Sequence, residues 1–357
     1  MKNILKEKNW LRALIFLIVA ALLFVYLNSV FTIGDTDASR QIFEDFYAQE
    51  EESIDVMYMG TSATNRYYNT TKAFNDEGVA AYNLAVMGMP MMFMPQLIDE
   101  VEKTQDPQLY VVELRNVLKS KNEVTDAHIR RVTDSMKLSS NKFDAIRTAM
   151  EYTEGATGEL SNIDEGLLDY YVPIIKYHGR LLSGDMKVTD VIPVSGQVPV
   201  QGFVLSPKTL VVKPQKDSVL SDERTPLAPE MADALENTLD EFDALGKDVL
   251  FVLAPYSIKD GDAAKLNTAK DMVEAHGYTV LDFNDPEIFS ETGIDRATDF
   301  YNSKHVNYLG AEKYTDYLTA YLKANYEIPD RRGNDKYYLW VKGYEKYCDY
   351  VKDGVQK

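Results

Sequence analysis

The sequence predicts an α/β protein, a three-layer sandwich on a central parallel sheet, preceded by one N-terminal transmembrane helix. Three observations carry this. Short apolar runs without polar alternation recur along the chain, the pattern of strands buried on both faces. Segments with apolar residues at helical spacing separate them, the order that builds a parallel sheet with helices on both sides. A much longer apolar run, Ala13–Ile33, stands alone near the N-terminus.

That run is unbroken from Ala13 to Leu27 and continues past Asn28 and Ser29 to Ile33. About 20 residues span a bilayer core. Lys2, Lys6, Lys8 and Arg12 make residues 1–12 a basic segment, whereas Glu44, Asp45, Glu50, Glu51 and Glu52 follow the run. The charge bias puts the N-terminus in the cytoplasm and the rest outside, giving a single-pass cell-membrane protein with an extracellular domain. A cleaved signal peptide also has a short apolar core. No small-x-small pattern directly follows Leu27, which favours an uncleaved signal anchor. Residues 34–52 read as an acidic, helical juxtamembrane stalk.

The domain proper is expected over 53–330. Ile54–Met59 is a buried strand ending in Gly60-Thr61-Ser62, and Thr64–Asp76 is the helix after it, stopping near Gly78. Val79–Val86 is a second strand, closed by Gly88 and Pro90. Met91–Thr104 has helical spacing, and Leu109–Leu114 is a third strand of strong β propensity. The pattern breaks at about 119–228, an insertion read as a lid or substrate platform, with a helix over Lys137–Glu151 and short β-like stretches such as Leu210-Val211-Val212. It resumes with a strand at Asp248–Ala254, a helix at Asp262–His276 with Gly277 at its end, a strand at Tyr278–Phe283 and a closing helix at Leu309–Tyr326. The aromatic tail, 331–357, is expected to form a helix that packs on the domain.

Bulk properties narrow the function. The net charge is −18, which argues against a nucleic-acid partner, since phosphate binding rests on clustered Lys and Arg. The single cysteine, Cys348, leaves no intramolecular disulfide and no CxxC metal or redox pair. Neither a GxxxxGK[ST] loop nor an HExxH helix is present. No metal and no organic cofactor is implied.

In a parallel sheet, ligands gather at the carboxyl ends of the strands. Ser62, Gly88, Asn116 and His305 all follow predicted strands or lie in loops after them. Asp55-Val56-Met57-Tyr58-Met59-Gly60-Thr61-Ser62 resembles the first block of the SGNH (GDSL-type) hydrolase superfamily in its Gly-Thr-Ser variant. Phe300-Tyr301-Asn302-Ser303-Lys304-His305-Val306-Asn307-Tyr308-Leu309-Gly310-Ala311 resembles its last block. The resemblance covers residues about 52–118 and 246–326. The variant is similar to exported, membrane-anchored members of Gram-positive bacteria, including relatives of the D-alanyl-lipoteichoic acid protein DltD and the alginate O-acetylation proteins.

The resemblance implies a flavodoxin-like sheet order and a serine acyl-enzyme. Ser62 matches the nucleophile and His305 the base. Ser62 N–H and Gly88 N–H match oxyanion donors. Asn116 falls where the third block places an asparagine, although Glu113-Leu114-Arg115-Asn116 departs from the family pattern. Asn65 and Arg66, just after the serine, are candidates for substrate contact or for capping and surface roles. The family's aspartate, three residues before the histidine, is replaced by Asn302. Either Asp299, if the loop bends, or Asn302 orients the ring. The expected function is an esterase or O-acyltransferase acting on an acylated cell-envelope polysaccharide or teichoic-acid-like polymer. The alternative is a catalytically weak protein that binds a glycan or a membrane-bound O-acyltransferase. The plainer reading of Gly-Thr-Ser after a strand is a turn and a helix cap.

Overall fold

A computed structural model describes residues 2–31, 38–186 and 198–355. Its strands, among the described residues, are β1 Val56–Gly60, β2 Ala81–Ala85, β3 Leu109–Glu113, β4 Val198–Val200, β5 Phe203–Leu205, β6 Asp248–Leu253, β7 Thr279–Asp282, β8 Phe300–Asn302 and β9 His305–Val306. Five of them form one wholly parallel sheet in the order β2-β1-β3-β6-β7. Parallel neighbours need crossover connections, and helices supply them. Alternate side chains feed two cores. Met57, Met59, Tyr110, Val112 and Phe251 join one, against Phe43, Ile98, Leu239 and Phe242. Val56, Tyr58, Val111, Leu250 and Val252 join the other, against Tyr67, Tyr314, Leu318 and Leu322. The chain is therefore α/β with helices on both faces of a central sheet.

Strand order reverses at β1. The connection from β1 goes outward to β2 and the next returns to β3, on β1's other side. Such a switch point leaves a crevice above the carboxyl ends of β1 and β3.

The N-terminal helix runs Lys2–Phe31. Its Asn9–Asn28 stretch has a mean hydropathy of 2.5 and nothing buried, so it is long and apolar enough to cross a membrane. Thr32 and Ile33 lie outside the described residues. The foot of the helix is docked: Ile174 N donates to Asn28 Oδ1 at 3.0 Å, in the short helix Pro173–Tyr177.

Of the stalk expected over 34–52, residues 34–37 lie outside the described residues, and 39–47 is helical as expected but packed on the domain rather than free. Ser39–Tyr47 is a helix whose Ile42, Phe43 and Phe46 are fully buried, and Tyr82 OH donates to Ile42 O at 2.6 Å. Residues 39, 42, 43 and 46 form an i, i+3, i+4, i+7 stripe, and that spacing outweighs the acids on the opposite face. β1 begins at Val56 because the Gln105 side chain takes Ser53 N and Ile54 N instead. The helix expected over Thr64–Asp76 divides into Ser62–Asn65 and Thr70–Glu77, since Asn69 caps the second by accepting from Lys72 N at 3.1 Å.

Part of the insertion belongs to the core, and its first residues, Lys119 and Glu123, line the cavity described below. The helices Asp126–Thr133 and Ser140–Tyr152 bury Ile129, Val132, Ala145 and Ile146. Its β structure is the β4–β5 hairpin, while Val211 and Val212 are half exposed after a 3-10 turn. The part of the insertion at 187–197 lies outside the described residues. The C-terminal helix, Tyr338–Val355, packs on Thr70–Glu77, and buried Trp340 donates from Nε1 to Ala81 O at 2.8 Å.

The docked helix makes a prediction that a free stalk would not. Phe46→Ala is expected to destabilise the full-length protein by about 3–5 kcal/mol, the usual cost of emptying a buried aromatic site. On a solvated stalk the change would be worth within about 0.5 kcal/mol. Urea unfolding in detergent decides between them.

Candidate active site

The serine end of the site begins at Gly60, the last residue of β1. A Cβ there would meet Thr64 Oγ1 at 2.3 Å and Glu113 Cβ at 2.7 Å, so only glycine fits. Thr61 then caps the one-turn helix Ser62–Asn65, its Oγ1 accepting from Ala63 N at 3.2 Å. Ser62 thus heads a turn whose first N–H groups have no intrahelical acceptor.

The histidine end is an antiparallel β8–β9 hairpin, in which Asn302 faces His305 across the ladder. Asn307 closes it by donating from its N–H to Asp299 O at 2.8 Å and capping the helix Tyr308–Asn325 through Gly310 N. The two ends meet. His305 Nε2 lies 2.7 Å from Ser62 Oγ, and His305 Nδ1 lies 3.0 Å from Asn302 Oδ1. Lys304 N also donates to Asn302 Oδ1, at 2.8 Å, which identifies that atom as the amide oxygen. An acceptor facing Nδ1 puts the proton on Nδ1 and leaves the Nε2 lone pair for the Ser62 hydroxyl. The Tyr301 ring stacks on the imidazole, 5.4 Å between centroids and 8° from parallel.

Of the two candidates to orient the ring, Asn302 reaches it and Asp299 does not, so the Asp299 alternative is corrected. Its Oδ2 accepts from Asp295 N at 2.8 Å and from Lys313 Nζ at 2.7 Å, and its Oδ1 from Thr298 Oγ1 at 2.8 Å. The hairpin explains this. Asn302 pairs with His305, whereas Asp299 lies beyond the Phe300–Val306 pair and staples the base of the loop.

A cavity of about 230 Å³ opens on the pair. Gly88 lines it with a φ of +68°, a conformation that suits glycine. Asn116 lines it as well. It is 2% exposed, and neither its Oδ1 nor its Nδ2 has a hydrogen-bond partner among the described residues. A buried amide left so bare is costly unless a bound group satisfies it. Asn65 and Arg66 are outside the lining. Asn65 Nδ2 donates to Ala85 O at 3.3 Å, and Arg66 Nη1 donates to Val204 O and Ser206 Oγ, each at 3.0 Å. Both are buried side chains fastening the serine turn to its neighbours rather than substrate contacts.

Sequence reasoning missed the groups that hold the histidine loop. Tyr67 OH is 2.7 Å from Pro255 O and 2.8 Å from Lys304 O. Arg115 Nη1 donates to Lys304 O at 3.2 Å and its guanidinium lies 4.5 Å over the Tyr256 ring. Glu113, fully buried at the end of β3, accepts from Ala254 N and Arg115 N at 3.2 Å each. Burial pushes its carboxyl up to about 7, against the lowering charge of Arg115. The available signal was the Glu113-Leu114-Arg115 triplet itself, two charges ending a wholly apolar strand. Burial, then Arg115, Arg66 and Lys304, hold the His305 imidazole well below its ordinary value. The ring is therefore neutral at neutral pH, the form a base needs.

One other histidine cluster, Glu236, Asp240 and His276, brings its ligand atoms within 4.8 Å of one another outside this cavity. Its imidazole is already engaged by Asp243 at 2.7 Å and Glu236 at 3.1 Å.

His305 is expected to titrate below 6.5 in an NMR pH series of its ring carbons, and Asn302→Asp to move it upward. The new carboxylate would stand at the present 3.0 Å contact and favour imidazolium. An unchanged value in the variant would mean that Asn302 does not face the ring. No known family model matches the sequence and no curated protein matches it, so the functional reading rests on this geometry and on the two sequence blocks.

Proposed function

We propose that the chain is a membrane-anchored SGNH-like serine esterase or O-acyltransferase that acts outside the cytoplasm on an acylated cell-envelope polymer. The observation that carries this reading is the 2.7 Å contact between Ser62 Oγ and the Nε2 lone pair of His305 above a switch point of the sheet. The basic residues before the Asn9–Asn28 span support a cytoplasmic N-terminus and an outward domain.

In this mechanism Ser62 attacks the ester carbonyl as its proton passes to His305 Nε2. The new oxyanion takes hydrogen bonds from Ser62 N–H, Gly88 N–H and Asn116 Nδ2, the last an otherwise bare donor. Collapse expels the alkoxide, which leaves with the proton from Nε2. Water or an acceptor hydroxyl then gives its proton to Nε2 and attacks the acyl-enzyme, and Ser62 is regenerated. A cavity of about 230 Å³ is smaller than drug-sized sites of ~300–1,000 Å³, which favours a short acyl group.

Asn302 favours a second reading, a binding module on a hydrolase scaffold. An amide fixes the tautomer but brings no charge to the imidazolium, and loss of that charge costs a serine protease about 10⁴ in rate.

A fluorophosphonate probe on the full-length protein separates the two. The first reading expects labelling at Ser62, lost in Ser62→Ala and His305→Ala. It also expects Asn302→Asp to raise hydrolysis of 4-nitrophenyl acetate at least about tenfold, some 1.4 kcal/mol of barrier. Absent labelling, with Ser62→Ala and Asn302→Asp both silent, would leave the binding module.

A further inference from the structure

A larger hollow, about 640 Å³, lies at the foot of the N-terminal helix. Phe24 and Val25 of that helix form one wall, and Tyr47, Leu138, Phe143, Tyr171 and the Arg40–Glu44 ion pair are among the residues forming the others. Lys142 lines it while 7% exposed, and Lys137 reaches it with its ammonium 4.3 Å from the Tyr47 ring. Asp134, beside them, has a buried Oδ1 without a hydrogen-bond partner.

The position of this hollow follows from length. Asn9–Asn28 is 20 residues, ~30 Å of helix, which equals the hydrocarbon thickness of a bilayer. Phe24 and Val25 belong to that span, yet they share the hollow with the globular body. Whatever faces them there stands at the depth where acyl chains meet headgroups. The elements beside the hollow expose apolar side chains. Leu138 and Leu168 are each 60% exposed, Leu181 64% and Leu182 88%. The two last belong to the helix Gly179–Ser183, directly after the helix that grips Asn28. Short helices of a water-soluble face bury such side chains.

We infer that this face is a second membrane contact, resting on the anchor reading. The leaflet at the foot of the anchor covers Leu138, Leu168, Leu181 and Leu182. One phospholipid from it fills the hollow, its acyl chains along Phe24, Val25 and Phe143 and its phosphate toward Lys137 and Lys142. The contact holds the globular body at a set tilt and height over the membrane.

The test uses full-length protein carrying Cys348→Ser and one nitroxide-labelled cysteine, in phosphatidylcholine–phosphatidylglycerol bilayers. Ile18→Cys reports the anchor, Leu182→Cys the proposed contact and Leu220→Cys an exposed leucine elsewhere. The expected result is oxygen-rich, nickel-poor collision at 18 and 182 and the reverse at 220. A nickel-rich label at 182 with an oxygen-rich label at 18 overturns the contact and leaves the anchor standing. A nickel-rich label at 18 overturns the anchor and the contact with it. For the hollow, native mass spectrometry should find one phosphatidylglycerol retained by the wild type and at least fivefold less by Lys142→Met. A lipid-free wild type, or equal retention by the variant, removes the phospholipid from the hollow.

Discussion

Everything in this molecule depends on β1 being hydrogen-bonded on both sides and buried on both faces. Its register with β2 and with β3 is continuous over Val56–Met59. A strand so placed cannot shift by one residue without exchanging its two cores. Gly60, Thr61 and Ser62 are therefore delivered at one height, at the point where the strand order reverses. Because Gly60 admits no Cβ, the chain turns at once and the serine stays at the rim of the crevice.

The histidine arrives from the far end of the chain, so its placement needs a separate support. A polar layer beneath the cavity provides it. Tyr58 OH lies 2.9 Å from Tyr314 OH, which ties β1 to the helix that follows the histidine. Tyr67 and Arg115 grip Lys304 O from opposite strands' connections, and Glu113 binds the end of β6 through Ala254 N. Buried polar groups of this kind are tolerable only when each is satisfied, and here they are satisfied by one another. Among the described residues lining the cavity, Asn116 at both side-chain atoms and Tyr256 at its OH are left without a hydrogen-bond partner.

Electrostatics sets the character of the site. The chain as a whole is strongly acidic, yet the nearest charges to His305 that alter its titration are Arg115, Arg66 and Lys304. With no carboxylate on Nδ1, nothing offsets these cations or the burial. The imidazole is held in its neutral form and binds a proton weakly.

Much of this was legible in the sequence, because the signals are local. Continuous apolar runs marked each strand of the main sheet, Gly78 and Gly277 marked helix ends, and the Asn9–Asn28 span is a matter of length and composition. The two blocks around Ser62 and His305 pointed to one edge by the parallel-sheet rule. What failed was non-local. The Ser39–Tyr47 helix looked like a stalk because its acids are visible in sequence, while its partner Tyr82 is supplied by a distant strand. Asp299, six residues before His305, could serve only if the loop bent toward the ring, and the β8–β9 hairpin instead sets Asn302 opposite His305. Arg115, Tyr67 and Glu113 act on a loop nearly two hundred residues or more away or on another strand's end, and no spacing rule reports such contacts. The sequence by itself determined the strands, the apolar N-terminal helix and the residue types of the site. Only tertiary structure decided which acceptor holds the imidazole, which polar side chains are spent on the fold and which is left for a ligand. Hydrogen-bond satisfaction is settled by packing, and packing joins residues that the chain keeps far apart.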